Sequence, residues 1–229
     1  MITTVVFDLD NTLTHRNQSI HKFAQRLCEL FTIPSGEAQA IGEIMIQEDE
    51  GGYGFKNSPY ATNAMKIAHR LTQDHPKWFS CTPDQFNEIW EQEFFRMAEP
   101  MSGLQTLLDF LDEAEIPYGI LSNGNDLRRK KTVAALNILD RTQWVLSSEA
   151  VGVKKPHADT FHAALKLAQC EPTQALMVGD HPVNDCAGAK AVGMQTCWLR
   201  GFLPWPEDQT PADFEIDHLL QLTDILSSR

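Results

Sequence analysis

Long apolar runs are missing from this sequence. No stretch approaches the ~18 apolar residues that a membrane-spanning helix needs, so no membrane partner is expected. Closely spaced cysteines are missing too: Cys28, Cys81, Cys170, Cys186 and Cys197 are an odd number lying far apart, which excludes the usual zinc and redox spacings and reads as reduced packing residues. Positive charge is scarce, with 19 Lys and Arg against 31 Asp and Glu and a formal net charge of −12 at pH 7. Nucleic acid is bound through clustered Lys and Arg, so it is not an expected partner either. A small phosphorylated metabolite would also be repelled at long range, and any site for one must supply its own positive charge by metal ion, lysine or main-chain N–H groups. The first residues, Ile2-Thr3-Thr4-Val5-Val6-Phe7, run straight into acids instead of following the basic and then apolar plan of a signal peptide, which predicts a cytoplasmic protein.

What is present is an ordinary globular composition. The 229 residues, 42% of them hydrophobic, suffice for one substantial core or for a core and a smaller lobe. Ile2–Phe7 reads as a buried strand stopping at Asp8, and Tyr118–Ser122, Trp144–Ser147, Ala175–Val178 and Gln195–Leu199 have the same short, apolar look. Helical faces lie between them: Leu104, Leu107, Leu108 and Leu111 in one, Phe161, Ala164, Leu165 and Ala168 in another, and a third over Ala187–Val192. Such alternation predicts an α/β fold, a doubly wound parallel sheet with helices on both sides, whose ligands bind at the carboxyl ends of the strands.

From His15 to Glu99 the rhythm changes to helix after helix. Ile20, Phe23, Ala24, Leu27, Leu30 and Phe31 keep a 3.6-residue period, as do Ala61, Ala64, Met65, Ala68 and Leu71. A third helix starts at Thr82-Pro83-Asp84-Gln85, where Thr82 caps, Pro83 fits the first turn and Gln85 takes the capping-box position. Its inner face is Phe86, Ile89, Trp90 and Met97. The glycine-aromatic stretch Gly51-Gly52-Tyr53-Gly54-Phe55 reads as a mobile loop. The expected organisation is therefore an α/β core of residues 1–14 and 100–229, with an inserted all-helical segment over 15–99. A monomer is the default, and a dimer formed through the insert is the alternative.

Four short segments at predicted strand ends carry chemistry. Asp8-Leu9-Asp10-Asn11-Thr12 puts two carboxylates where the chain turns out of the first strand, so that one can attack while the other handles protons. Ser122-Asn123-Gly124 offers a hydroxyl, an amide and a close main-chain approach, all suited to phosphoryl oxygens. Lys154-Lys155-Pro156 places a lysine at the start of a helix, with Pro156 in its first turn; Lys154 is the reserve candidate for the cation. Gly179-Asp180-His181-Pro182-Val183-Asn184-Asp185 supplies hard oxygen ligands, the kind magnesium takes alongside water and substrate phosphate.

These segments, in this order, resemble the signature motifs of the haloacid dehalogenase-like (HAD) hydrolase superfamily, and the helical insert is similar to that family's type 1 cap. The resemblance implies that Asp8 is a nucleophile forming an aspartyl-phosphate and that Asp10 is the acid and then the base. It implies that Thr12, Ser122, Asn123 and Gly124 surround the phosphoryl group and that Lys155 stabilises its charge. Mg²⁺ would be held by Asp8, the main-chain carbonyl of Asp10, Asp180 and Asp185. The implied activity is that of a phosphatase for small phosphate monoesters of the FMN, nucleotide or sugar phosphate class. A sugar phosphomutase, a haloacid dehalogenase or a noncatalytic binding module on the same fold are the alternatives, and the acid at Asp10 argues against dehalogenation, which attacks carbon without metal or general acid. His15 and Arg16 stand where many type 1 members carry an acid, and either could meet an anionic part of the substrate, although a hinge role is favoured. Trp78, Trp90, Tyr53 and Phe55 belong to the implied cap, with Trp90 assigned to packing; His181 is assigned no chemistry.

Overall fold

The computed structural model describes residues 1–54 and 58–228. Phe55, the aromatic end of the glycine-rich stretch, lies outside the described residues. The chain divides into two compact units, one made of Met1–Thr14 with the chain from Pro100 onward and the other of His15–Glu99.

The first strand, β1 (Thr4–Phe7), is buried throughout and begins two residues later than its apolar run suggests. The chain then enters the helical unit. Helix α1 (Arg16–Leu30) starts at His15, whose ring nitrogen accepts from the Gln18 N–H, and buries Ile20, Phe23, Ala24 and Leu27. Leu30, expected on that face, is exposed because the helix ends there; Phe31 turns back and packs on Phe79, ring centres 5.2 Å apart. Helix α2 (Ala38–Asp49) contributes Ile41 and Met45. In α3 (Asn63–Asp74) the buried stripe is Ala64, Ile67, Ala68 and Leu71. Ala61 precedes this helix and is exposed, and Met65 is only half buried, so the apolar stripe is rotated by Ile67 from the one expected. Helix α4 (Pro83–Glu93) opens on the predicted capping box: Thr82 Oγ1 accepts from the Gln85 N–H at 3.2 Å, and Gln85 Oε1 accepts from the Thr82 N–H at 2.9 Å. Phe86 and Trp90 are buried in the cluster shared by all these helices, while Met97 packs on it from a 3₁₀ turn beyond α4. Trp90 stacks on Phe94 with centres 4.0 Å apart, a packing role.

One buried ion pair ties this unit together. Arg16 meets Asp49 in a fork, Nε to Oδ2 at 2.7 Å and Nη2 to Oδ1 at 2.8 Å, and Asn63 donates to the same carboxylate at 2.9 Å. Arg16, a candidate for meeting substrate, is thus engaged in closing α1 onto the end of α2. Gly51 and Gly52, both at positive φ, turn the chain after α2, and the Gly54 N–H closes the turn on the Asp49 carbonyl at 2.9 Å.

In the other unit, α5 (Leu104–Glu113) buries Leu104, Leu107, Leu108 and Leu111 as its period requires. It leads into β2 (Tyr118–Ser122), α6 (Asp126–Ala135), β3 (Val145–Ser147), the single turn α7 (Ser148–Val151), α8 (Ala158–Ala168), β4 (Ala175–Gly179), α9 (Gly188–Ala191), β5 (Gln195–Leu199), β6 (Phe214–Ile216) and α10 (Gln221–Ser227). The six strands form one parallel sheet in the order β3-β2-β1-β4-β5-β6. On one face Val6, Leu121 and Met177 pack under Phe161, Ala164 and Leu165 of α8.

Three features depart from the sequence pattern. Strand β6 is unanticipated: it has three residues with Glu215 exposed at its centre, too short to carry a pattern. The helix expected over Ala187–Val192 is present as the one-turn α9, but an unexpected π-helical turn, Pro182–Ala187, precedes it. Pro156 does not open a helix: α8 starts two residues later, capped by His157, and the Lys155–Pro156 peptide is cis.

Candidate active site

Strand β1 lies at the centre of the sheet, so whatever follows it is flanked by the ends of β2 and β4. Register places Phe7 beside Ile120 and Val178, and Asp8 donates its N–H to the Val178 carbonyl at 2.9 Å. The parallel arrangement brings Asp8, Ser122 and Asp180 to the same edge. Carboxylate oxygens of Asp8, Asp180 and Asp185 lie within 4.8 Å of one another, all three residues buried.

Lys155 holds this group together. Its Nζ donates to Asp8 Oδ1 and Asp185 Oδ1, each at 2.6 Å, and to the Leu121 carbonyl at 2.8 Å. Only 3% of its side chain is exposed. Lys155 reaches the site from the loop before α8, and that loop is braced by Asn123: the Lys155 N–H donates to Asn123 Oδ1 at 2.8 Å, and Asn123 Nδ2 donates to the Lys155 carbonyl at 3.1 Å. Asp185 is placed by the π-helical turn and accepts from the His181 N–H at 3.0 Å. His181 itself caps that turn, its Nδ1 accepting from Val183 and Asn184, a structural role. Glycine is required just before Asp180, since a Cβ on Gly179 would stand 2.3 Å from Asp185 Oδ2.

Burial sets the protonation of these groups. The Asp8 carboxyl is pushed from 3.8 to about 7, with desolvation the largest cause, Lys155 opposing it and the charge of Asp185 adding to it. Asp180 moves the same way, through burial and then the charges of Asp8 and Asp185. Burial alone would lower Lys155, but Asp185 and Asp8 outweigh it and hold the ammonium above the usual lysine range. Fully ionised, three acids and one lysine carry a net charge of −2. That balance and the all-oxygen donor set fit a divalent, hard cation such as Mg²⁺.

The other expected residues divide. Thr12 is wholly buried and its Oγ1 has no hydrogen-bond partner among the described residues, an unmet group suited to a phosphoryl oxygen. Ser122 ends β2, buried beside Leu121. Asn123 and Gly124, expected at the phosphoryl group, are used otherwise: the Asn123 amide braces Lys155, and the Gly124 N–H donates to Ser148 Oγ at 2.9 Å. Lys154, the reserve cation, is exposed. Asp10 is not one of the three clustered acids, although its charge helps to raise the Asp8 carboxyl, and its Oδ2 accepts from Arg129 Nη1 at 2.5 Å. Arg129 was not foreseen; the available signal was the run Arg128-Arg129-Lys130-Lys131, one turn after Ser122-Asn123-Gly124 in an acidic chain.

A parallel sheet whose central strand ends in a carboxylate, clamped by a buried lysine beside two further acids, defines a class of hydrolase, and the sequence agrees. The chain belongs to the family described as haloacid dehalogenase-like hydrolase, whose sequence profile matches residues 5–199. It is 29% identical to the glyceraldehyde 3-phosphate phosphatase of Pyrococcus furiosus, over 98% of this chain and 93% of that protein. Among solved structures it superposes on the HAD-hydrolase YfnB from Bacillus subtilis, determined bound to magnesium, with a TM-score of 0.75, 20% identity and 98% of both chains covered. The L-2-haloacid dehalogenase of Xanthobacter autotrophicus gives a TM-score of 0.72 at 19% identity, over 100% of this chain and 99% of that one. At these identities the structures show the fold alone, which phosphatases and dehalogenases share.

Proposed function

We propose that the chain is a Mg²⁺-dependent phosphatase that hydrolyses small phosphate monoesters through an aspartyl-phosphate on Asp8. The observation that carries this reading is the clamp of Lys155 on Asp8 and Asp185, with Asp180 in the same buried group. Asp8 attacks phosphorus; the P–O bond to the leaving group breaks, and its oxygen takes a proton from Asp10. Asp10 then removes a proton from water, whose oxygen attacks the aspartyl-phosphate, releasing phosphate and restoring the Asp8 carboxylate. Lys155 balances the charge spread over the transferring group, and Thr12 and Ser122 donate to its oxygens. Asp8, Asp180, Asp185 and the Asp10 carbonyl are the groups that would hold Mg²⁺, which when bound supplies positive charge to the phosphoryl oxygens.

The Pyrococcus furiosus relative, named for glyceraldehyde 3-phosphate, favours the sugar phosphate part of the substrate range. The acid at Asp10 favours phosphate-ester chemistry over dehalogenation. The test is phosphate release from a panel of phosphorylated metabolites and p-nitrophenyl phosphate, with Mg²⁺ and with a chelator. Release that requires Mg²⁺ and is lost in a folded Asp8→Asn protein supports the reading; activity that survives in Asp8→Asn sinks it.

A further inference from the structure

Two cations sort the acids of this site. Lys155 gathers Asp8 and Asp185, while Arg129 draws Asp10 to α6 with a 2.5 Å contact from Nη1 to Oδ2. The charges of Asp10 and Asp8 repel one another, and Arg129 offsets that repulsion at Asp10. The route by which Arg129 reaches Asp10 is built into the chain. It passes over Gly124, at φ +137°, where a Cβ would stand 2.7 Å from its Nε and 2.9 Å from its Nη2. The space that this glycine leaves is thus occupied by a guanidinium. Arg129 is also a poor choice for stability alone: its side chain is 12% exposed, and its Nε is buried with no partner among the described residues.

We propose that Arg129 is the positioning residue for Asp10. By holding one carboxylate oxygen it sets the direction of the other, and so the geometry in which Asp10 gives its proton to the leaving-group oxygen. The proposal rests on the phosphatase reading above. It assigns to α6 a role in the chemistry, exercised through Asp10 and without contact to the phosphoryl group.

Leaving groups separate this role from a structural one, because an alkoxide cannot depart without a proton whereas p-nitrophenolate can. The experiment is kcat/KM with Mg²⁺ for glycerol phosphate and p-nitrophenyl phosphate in the wild type, Arg129→Gln and Arg129→Lys, with folding checked by circular dichroism. Since general acid catalysis is worth roughly 10²–10⁴-fold, Arg129→Gln should lose about 30-fold or more on the alkyl ester and about threefold or less on the nitrophenyl ester. Arg129→Lys, which keeps the charge, should recover much of the alkyl-ester rate, and it serves alone if Arg129→Gln does not fold. Losses of similar size on both esters, beyond about threefold, overturn the proposal in whichever of the two variants folds. A wild type inactive on both esters and across the metabolite panel defeats the phosphatase reading and this proposal with it, an outcome distinct from losses confined to the variants.

Discussion

Lys155 is the residue on which the site's electrostatics turn. It is buried among Asp8, Asp185 and the Leu121 carbonyl, so replacing it with methionine leaves buried acids without their counter-ion. Removing one partner of a buried pair costs about 3–5 kcal/mol, and Lys155→Met should destabilise the metal-free protein by that order at pH 8 in urea unfolding. The loss should shrink at pH 5, where the acids take up protons instead. Asp8 supplies a second expectation. Its pKa is raised in the folded state to about 7, so the metal-free fold binds a proton more readily than the unfolded chain does. Metal-free stability should therefore fall as pH rises from about 4 through 7, and Mg²⁺, which needs the ionised carboxylate, should bind up to about tenfold more weakly per pH unit below 7. A Mg²⁺ affinity that stays flat from pH 5.5 to 8 by calorimetry would contradict the burial argument.

At the scale of elements, the site depends on how closely the turn after β4 folds back on β4 itself. Gly179→Ala places a methyl group 2.3 Å from Asp185 Oδ2, a contact that forces the carboxylate away from Lys155. The expected outcome is a folded protein with Mg²⁺ affinity reduced by about tenfold or more, since an ordered ligand has been displaced. Unchanged affinity would mean that Asp185 does not contribute to the cation site. The helices show where periodicity is a sufficient guide. It placed Leu104, Leu107, Leu108 and Leu111 correctly because a single face of α5 is buried, and the capping box at Thr82 was legible because capping is chemistry local to a few residues. It misplaced Leu30 and Met65, where the end of a helix and the packing of neighbouring helices decided exposure.

At the scale of the molecule, a net charge of −12 surrounds a site meant for an anion. Screening weakens that long-range repulsion, since the Debye length shrinks from ~30 Å at 0.01 M to ~8 Å at 0.15 M salt. Raising KCl over that range should lower KM for a dianionic substrate by about twofold or more, provided Mg²⁺ is saturating. A rise in KM would show that the local positive charge of Lys155, Arg129 and the bound cation governs the approach instead. The division of the chain has a similar logic: the helical unit has its own apolar cluster and its own buried ion pair, Arg16 with Asp49, so it holds together by contacts within itself.

The class of fold, five of the six strands in their order along the chain and the clustered acids with their lysine were legible in the sequence alone. These are legible because each motif is a few adjacent residues at a strand end, and a parallel sheet brings strand ends to one edge whatever lies between them. Only the tertiary structure decided what the individual side chains do. Asn123 turned out to brace Lys155, Gly124 to make room for Arg129, and Arg16 to close on Asp49. Each of those roles depends on a partner between 5 and 33 positions away in sequence, and for Arg129 and Asp10 the separation is 119. Contacts of this kind leave no periodic trace in the chain, because they are made by the packing of whole elements and not by the conformation of any one.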